Sequence, residues 1–582
     1  MNKSGFLLAA AAVALTAAAL AGCKVSTAPD NGQAAEAAGP ASSEWKSFVN
    51  SYIDTTFKAA PQFGAVSGRH EFDGKLPDWS QAGIDVEKMR LRGAIDAAGK
   101  FTDDKLGKTE RFERDYLIAQ ARGALFWMDT ADQPHTNPAY YANSLDPSVY
   151  VVVPYAPPPV RMKAYTAYLK AIPGAAQAIR ANIRSPMPLS FVNYAKSAFG
   201  GYAEYYPGDG LKAFAGVGSD VEQADLKSAS TEAAAAMKGL ADWAESQRAG
   251  AGTNFALGAA KFQQMLHDTE LVDTPIAELQ RIGQADLKSN QDLLRAACGR
   301  FAAGATIPAC VDKMNINKPA GGAVAAARLQ LAELKQFVAD KDIVTIPGTE
   351  EAKVEEAPPY NRQNFAYINI PGPYEKNLPS VYYIAPPDPT WTKAVQDGFV
   401  PGKADLLFTS AHEVWPGHFL NFLHANRSPF LFGRVFVGYA FAEGWAHYTE
   451  EMMRVKGVGG GTDETMIGQL SNALLRDCRF LSAIGMHSGT MTQDQSYTMF
   501  RDQCFQDEGN AKQQAARGTY DPAYLNYTMG KLMIRKLRDD WVATRGGEKA
   551  WKGFHDQFLS YGGPPIPLVR QQMLGGEAKA VF

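Results

Sequence analysis

Histidine and cysteine are scarce in this chain, whose 582 residues include nine histidines and five cysteines. Neither a long run of one charge nor a basic stripe occurs, and the formal net charge is −3. The chain therefore lacks the clustered positive charge of a nucleic-acid-binding protein, and no nucleic-acid partner is expected. With 46% apolar and 20% charged residues, the composition is that of a globular protein with a large core.

The N-terminus is typical of an exported lipoprotein. Lys3 supplies a positive start, residues 6–20 are almost wholly apolar, and the sequence that follows, ending at Cys23, resembles a bacterial lipobox. A transmembrane helix is the alternative, but the run is shorter than the roughly 20 residues that a bilayer requires. We therefore expect a signal peptide over residues 1–22, and a lipidated Cys23 with a flexible tether over residues 23–45. The expected location is the bacterial cell envelope, anchored to the outer membrane and facing the periplasm.

Four further cysteines occur, at Cys298, Cys310, Cys478 and Cys504. An even number of cysteines in a protein sent to an oxidising compartment favours disulfides. The simplest pairing joins Cys298 to Cys310 and Cys478 to Cys504. The alternative is four buried free thiols, and none of them has metal-ligand spacing.

Residues 46–582 are expected to form a mainly α-helical domain, with a possible division near residues 345–360. After Asp273 the pattern is clear: Thr274 can cap a helix, Pro275 suits the first helical position, and apolar residues recur from Ile276 to Leu287. Similar faces lie in residues 233–245, 325–337 and 527–541. The fold class is therefore mainly α.

One region has the composition of β-structure. Residues 365–370 and 381–384 are aromatic and β-branched, and glycine and prolines separate them. This pattern predicts a hairpin or small sheet just before the histidine-rich segment. Its edge could bind a substrate backbone as an added strand, or the hairpin could only cap the helical domain.

Four of the nine histidines lie close together in sequence, at His412, His418, His424 and His447. They are accompanied by Glu413, Glu443, Glu450 and Glu451. Histidine and carboxylate are the ligands of catalytic zinc, which takes three from the protein and leaves a fourth position open. This segment is therefore the candidate metal site.

The spacing of His412 and His418 differs from the familiar His-Glu-x-x-His motif, in which the histidines are four residues apart on one helix face. Six residues correspond to about 240° around a helix, so both rings reach one metal only if the helix is broken. Pro416 and Gly417 lie where such a break would occur. Alternatively, His412 ends one helix and His418 begins another, and the two are unrelated.

A third ligand is expected from the segment around Glu443. Glu443, His447 and Glu450 share one face of a predicted helix. Because this segment is otherwise apolar and aromatic, its carboxylates are expected to be buried, and a buried carboxylate requires a partner such as a metal ion.

At these residues the chain resembles the bacterial domain of unknown function 885 family, which is similar to zinc peptidases of the His-Glu-x-x-His, distal-Glu type. The resemblance rests on four separated motifs: His412-Glu413 with Pro416-Gly417-His418; Glu443-Gly444-Trp445-Ala446 with Tyr448 and Glu450; Arg476 and Arg479 with Gly485 and His487; and Tyr527 with Gly530-Lys531, Leu537 and Arg538. Weaker similarity extends from about residue 45 to the C-terminus. The chain departs from the family pattern at Ala483, where an aspartate is expected, and at His447, where an aliphatic residue is expected.

The resemblance implies a large helical two-lobed fold around a cleft and one zinc ion per chain, held by His412, His418 and Glu443. It also implies that Glu413 is the general base. Tyr527 is expected to be the oxyanion donor, with Tyr520 as a substitute, and His487 a second donor or a residue that orients a ligand; each could instead be a hydrogen-bonded core residue. The residue types alone offer Arg476, Arg479, Lys531, Arg535 and Arg538 as groups that could hold a substrate carboxylate, with surface salt bridges as the alternative.

The expected function is zinc-dependent hydrolysis of peptide or peptide-like amide bonds, as a carboxypeptidase or oligopeptidase. One alternative is an amidohydrolase that acts on cell-wall fragments or other non-ribosomal amides. Another is a lipoprotein that binds peptides or metal without catalysis. Glu413 favours catalysis, because metal binding alone does not require a base next to a ligand.

Overall fold

A computed structural model describes residues 40–357, 362, 365–387, 389–575 and 580–582. The described chain is mainly helical with one small sheet, as the sequence predicts. Cys23 and the predicted signal peptide lie outside the described residues. Within the described part, no helix is both long enough and apolar enough to span a membrane.

The first helices precede the sheet in the chain. They are α1 (Ser42–Ala59), α2 (Pro61–Val66), α3 (Gln81–Gly99), α4 (Lys108–Leu125), α5 (Gln133–Thr136), α6 (Ala139–Ala142), α7 (Ser148–Val151), α8 (Pro158–Asn182), α9 (Leu189–Tyr205), α10 (Asp220–Ser246), α11 (Ala259–Glu270), α12 (Ile276–Phe301), α13 (Ile307–Ile316) and α14 (Ala323–Asp340).

The strands and the remaining helices follow. They are β1 (Ala352–Glu356), β2 (Ala366–Asn369), β3 (Ser380–Ile384), α15 (Lys393–Phe399), α16 (Lys403–Glu413), α17 (His418–Ala425), α18 (Leu431–Val435), α19 (Tyr439–Val455), α20 (Asp463–Ser488), α21 (Gln493–Asp502), α22 (Glu508–Tyr520), α23 (Asn526–Val542), α24 (Trp551–Ser560) and α25 (Ile566–Leu574).

Two helix starts differ from expectation. Helix α1 begins at Ser42, inside the segment predicted as a tether up to residue 45, because Trp45 is buried and its indole N–H donates to Glu113. Helix α12 begins at Ile276 rather than Pro275, and Thr274 does not cap it. The side chain of Gln263 accepts the hydrogen bond from the first helical N–H instead, at 3.2 Å.

The sheet has the strand order β1-β3-β2. The antiparallel pairing of β2 with β3 confirms the predicted hairpin, whereas the parallel strand β1 was not predicted. Every residue of the central strand β3 is buried. The sheet packs against the helix that leads into the histidine segment, since the Tyr382 hydroxyl lies 3.4 Å from Ser410 Oγ of α16. The sheet therefore supports α16.

The buried side chains form three large clusters. One joins α1, α3 and α4 to α18, a second joins α8, α9 and α10, and the largest extends from α11 to α25 and includes Val354, Ile368, Tyr382 and Ile384 of the sheet. Cys298–Cys310 and Cys478–Cys504 are disulfides, as expected, and all four cysteines lie in the largest cluster. Helices α16, α19 and α20 cross in this cluster, which places the histidine-rich segment in the core.

Helices α19 and α23 pack closely because two glycines face each other. A Cβ added to Gly444 would lie 2.5 Å from the Gly530 Cα, and one added to Gly530 would lie 2.1 Å from the Ala440 carbonyl oxygen. The two backbones thus meet without intervening side chains. This contact fixes the position of α19, and with it Glu443.

We expect Gly444→Ala to destabilise the protein by about 1–3 kcal/mol, because the added methyl group forces the two helices apart. Gly239→Ala is the matched control, since nothing lies within 4 Å of a Cβ at Gly239 of α10. That change should leave stability unchanged or raise it by up to about 1 kcal/mol. Urea unfolding midpoints of the two variants compare these effects, and equal midpoints would contradict the close packing.

Candidate metal centre

His412 and His418 lie on either side of a helix break. Helix α16 ends at Glu413, and α17 begins at His418. Proline at position 416 has no N–H to continue the α16 hydrogen-bond pattern. The chain therefore turns between Val414 and Gly417, and the His418 ring returns to within 4.8 Å of the His412 ring, measured between centroids.

Gly417 allows this turn. Its N–H donates to the Ala411 carbonyl at 2.9 Å, which folds the chain back over the end of α16. A Cβ at this position would lie 1.8 Å from the His412 carbonyl oxygen. Only glycine fits against that carbonyl, so the Pro416-Gly417 pair is the local reason that the two histidines meet.

Glu443 of α19 completes the cluster. Its Oε2 lies 3.3 Å from His412 Nε2 and 3.4 Å from His418 Nε2. Ligand atoms of these three residues all lie within 4.8 Å of one another, and all three residues are buried. Burial alone would raise the pKa of Glu443, but the adjacent imidazoles His418 and His412 hold it well below the usual value. Glu443 is therefore a carboxylate.

The cluster fits a zinc ion. Two ligand atoms at the zinc distance of about 2.0–2.1 Å, separated by the tetrahedral angle, lie about 3.3 Å apart. The observed nitrogen-to-oxygen separations of 3.3 and 3.4 Å agree with that value. Two histidines and one glutamate are also a typical ligand set of catalytic zinc.

Glu413 lies beside the three candidate ligands without being one of them. It follows His412 at the end of α16 and is 7% exposed. Its Oε2 is buried and has no hydrogen-bond partner in the described structure. Burial raises the pKa of Glu413, and the imidazoles of His412 and His418 oppose that shift. A carboxyl group that has a raised pKa and an oxygen without a hydrogen-bond partner is suited to proton transfer.

A second carboxylate, Glu450, orients His412. Its Oε1 lies 2.6 Å from His412 Nδ1, on the side of the ring away from Glu443. The same oxygen pairs with Arg476 at 3.0 Å. An imidazole that donates from Nδ1 to a carboxylate presents its Nε2 lone pair to a metal. The spacing of seven residues placed Glu450 on the Glu443 face, but the sequence did not assign it this role.

We expect Glu450→Gln to weaken zinc binding by about 10- to 100-fold, because an amide is a poorer acceptor for the His412 N–H than a carboxylate. Competition with a chromophoric chelator measures the affinity. Glu451→Gln is the control, since Glu451 pairs instead with Arg535 and Lys531. Equal zinc affinities for the two variants would contradict the role of Glu450.

Tyr527 of α23 is the predicted oxyanion donor, and it lies beside the cluster. Its ring stacks on the His412 ring with 6.4 Å between centroids. Three guanidinium groups surround the ring, those of Arg476, Arg479 and Arg517, at 5.9, 4.8 and 5.9 Å from its centroid. Burial and Glu443 raise the pKa of the Tyr527 hydroxyl, whereas the arginines lower it. The hydroxyl therefore stays protonated and able to donate.

Comparison with known proteins identifies the family. A family model described as a bacterial protein of unknown function, DUF885, matches residues 60–573. The chain belongs to the DUF885 family. This agrees with the family resemblance of the motifs around His412 and Glu443.

Two solved structures resemble this DUF885 protein. One is a candidate lipoprotein of unknown function from Shewanella oneidensis, 24% identical with a TM-score of 0.76, and the match covers 91% of this chain and 99% of that one. The other is a candidate lipoprotein from Colwellia psychrerythraea, 14% identical with a TM-score of 0.75, covering 92% and 99%. At these identities the likeness shows a shared fold. No curated protein matches the chain.

Other residues that were given functional roles from the DUF885 motifs make contacts typical of structural residues. His487 uses both ring nitrogens on the backbone, with Nε2 donating to the Gly518 carbonyl at 2.7 Å and Nδ1 accepting from the Leu257 N–H at 3.4 Å. Burial lowers the pKa of His487 to about 4, so the ring is neutral. These contacts favour a packing role for His487 over that of an oxyanion donor.

Arg538 and Tyr520 also have partners elsewhere in the DUF885 fold. Arg538 pairs with Asp539 at 2.7 Å and lies over the Trp551 ring, which favours a structural role over substrate binding. Tyr520 packs on Tyr194 of α9 with 4.3 Å between ring centroids. Tyr520 thus joins the second hydrophobic cluster to α22.

His447, the departure from the family pattern, is not one of the three clustered ligands. It is fully buried, and its Nδ1 lies 3.4 Å from Glu450 Oε2. Burial, together with Lys531, lowers the pKa of His447 to about 4. A neutral His447 therefore adds a contact to the carboxylate that orients His412.

Proposed function

We propose that this protein is a zinc-dependent hydrolase of peptide or peptide-like amide bonds, with His412, His418 and Glu443 as the ligands of one zinc ion. The observation that supports this most strongly is the ligand cluster beside the available carboxylate oxygen of Glu413. A bound zinc would polarise the scissile carbonyl and lower the pKa of the attacking water.

The remaining steps belong to the chain's own residues. Glu413 takes the proton from the attacking water and passes it to the leaving nitrogen. This transfer requires a base that can be protonated near neutral pH. Tyr527 donates its hydroxyl proton in a hydrogen bond to the oxygen that becomes negative in the transition state. Glu450 holds His412 in the tautomer and orientation that expose Nε2.

We further propose that substrates enter along β2, in a cleft between two lobes. Among the described residues, β2 pairs on one side only, with β3, and it packs against α16. An extended peptide could add to its free edge by backbone hydrogen bonds. Such pairing would align a substrate chain beside the helix that carries Glu413.

Two alternatives remain. An amidohydrolase for cell-wall fragments would use the same groups, because a zinc ion, a general base and an oxyanion donor can together hydrolyse any amide bond. A lipoprotein that only binds peptides or metal would not need Glu413 in this position, so its available oxygen favours catalysis.

The test is hydrolysis of a mixed peptide library, followed by mass spectrometry before and after chelation. The proposal predicts cleavage that stops on chelation and returns when zinc is added. Cleavage that continues in the metal-free protein would contradict it.

The lipobox and the two structural relatives described as candidate lipoproteins support a lipid-anchored envelope protein, proposed to face the periplasm from the outer membrane.

We expect Cys23→Ala to move the protein from the membrane fraction to the soluble fraction, because the acyl chains provide the anchor. Immunoblots of separated fractions measure this. A variant that stays membrane-bound would contradict the anchor.

A further inference from the structure

The three arginines around Tyr527 differ in their partners. Arg476 pairs with Glu450 at 3.0 Å, and Arg517 pairs with Asp521 at 2.8 Å. Arg479 contacts a neutral side chain instead: its Nε donates to the side-chain oxygen of Gln514 at 2.9 Å. Within the part of the chain that the structure describes, no carboxylate lies at ion-pair distance from Arg479.

Such a charge is costly unless a ligand compensates it. Arg479 is 7% exposed and lies near two other guanidinium groups, so burial and repulsion both disfavour its charge. Perturbed charged groups of this kind are concentrated at functional sites. A ligand that compensates this charge must be an anion, and a planar fork of N–H donors fits a carboxylate in a bidentate contact.

Arg479 lies at a distance from the metal centre that suits the end of a substrate. Both lie next to Tyr527, whose ring centroid is 4.8 Å from the Arg479 guanidinium and 6.4 Å from the His412 ring centroid. One amino-acid residue spans about 3.5 Å. The guanidinium can therefore be no farther from the His412 ring than these two distances combined, a span that the first or second residue beyond a scissile bond at the centre can bridge with its carboxylate.

We propose that Arg479 binds the free carboxylate of the substrate, and that the substrates are peptides or amides that end in a carboxylate one or two residues beyond the cleaved bond. This inference rests on the proposed hydrolase function. The Tyr527 face holds the guanidinium by a cation–π contact, so one tyrosine positions the carboxylate receptor and serves the reacting carbonyl.

The experiment is calorimetric titration of full-length, zinc-loaded protein in detergent with N-benzoylglycine and with its carboxamide. Wild type should bind the acid tighter than the amide by about 30-fold or more, and Arg479→Gln should bind the two alike. The control is Arg501→Gln, because Arg501 is an exposed arginine of α21 paired with Asp502 at 2.6 Å. That control should keep the full preference for the acid.

Thermal unfolding separates this role from a structural one. Because Arg479 lacks a counter-ion, Arg479→Gln should unfold at the same temperature as wild type or higher, whereas loss of a structural ion pair would lower it. Arg479→Lys is a second test variant, because lysine keeps the charge but lacks the planar pair of N–H donors. It should bind the acid more weakly than wild type does, and it should still bind the acid more tightly than it binds the amide. Equal binding of acid and amide by wild type, or an acid preference that survives in Arg479→Gln, would overturn the inference.

Hydrolysis of benzoyl dipeptides with free or amidated ends distinguishes the two proposals. If wild type prefers the acid in titrations but cleaves neither substrate, the hydrolase proposal fails while the Arg479 site stands. If it cleaves both equally and binds the two probes equally, the hydrolase proposal stands and the Arg479 inference fails.

Discussion

Glu413→Gln should retain zinc and lose about 100- to 10,000-fold in kcat on any substrate that the wild type cleaves. The substitution keeps the shape of the side chain but removes the group that accepts and returns the proton, and general acid–base catalysis contributes rate factors of that size. Zinc content should not change, because Glu413 is outside the cluster of three ligands. Because the Glu413 carboxylate is buried without a hydrogen bond on Oε2, stability should be unchanged or higher.

The kinetic test compares kcat and KM with zinc content on the same preparation. Glu333→Gln is a matched control, since Glu333 is an exposed residue on α14. That variant should behave as wild type. Full activity in Glu413→Gln would show that the base is another residue.

His418→Ala should lose zinc. It removes one of three ligands, so the loss of affinity should exceed the about 10- to 100-fold expected for removing a partner that only orients a ligand. It should also leave Glu443 with a single imidazole neighbour, which raises the cost of its buried charge. Equilibrium dialysis against defined free zinc measures the affinity.

The control for this prediction lies on the same helix. His424 of α17 is also buried, but its Nε2 donates to the Thr345 carbonyl at 2.8 Å and it is not part of the cluster. His424→Ala should therefore keep wild-type zinc affinity. Comparable zinc loss in both variants would indicate a general effect of disrupting α17 and would contradict the ligand assignment.

Much of the site could be predicted from sequence because its geometry is local. The Pro416-Gly417 pair predicts a helix break, and the break brings His418 back to His412. The hairpin of β2 and β3 was predicted for a similar reason, since its β-branched and aromatic residues are clustered in the chain. Strand β1 has the sequence AKVEE, which is charged and largely exposed, so no local pattern distinguishes it from a loop.

The rest depends on how distant helices pack. Glu450 and Arg476 come from different helices, and only the crossing of α19 and α20 makes them partners on the far side of His412. The motif arginines are alike in sequence, yet Arg538 lies over Trp551 and Arg479 lies over Tyr527. Which arginine lacks a counter-ion is a property of the packed core, and no spacing rule supplies it.

The most direct test of the proposed zinc site is the metal content of purified full-length protein, measured by inductively coupled plasma mass spectrometry for wild type and for His412→Ala. The proposal predicts about one zinc per wild-type chain, as expected for a site with three protein ligands, and little zinc in the variant. Folded wild-type protein that holds no zinc, even after incubation with the metal, would contradict the zinc hydrolase and leave a peptide-binding lipoprotein as the better interpretation.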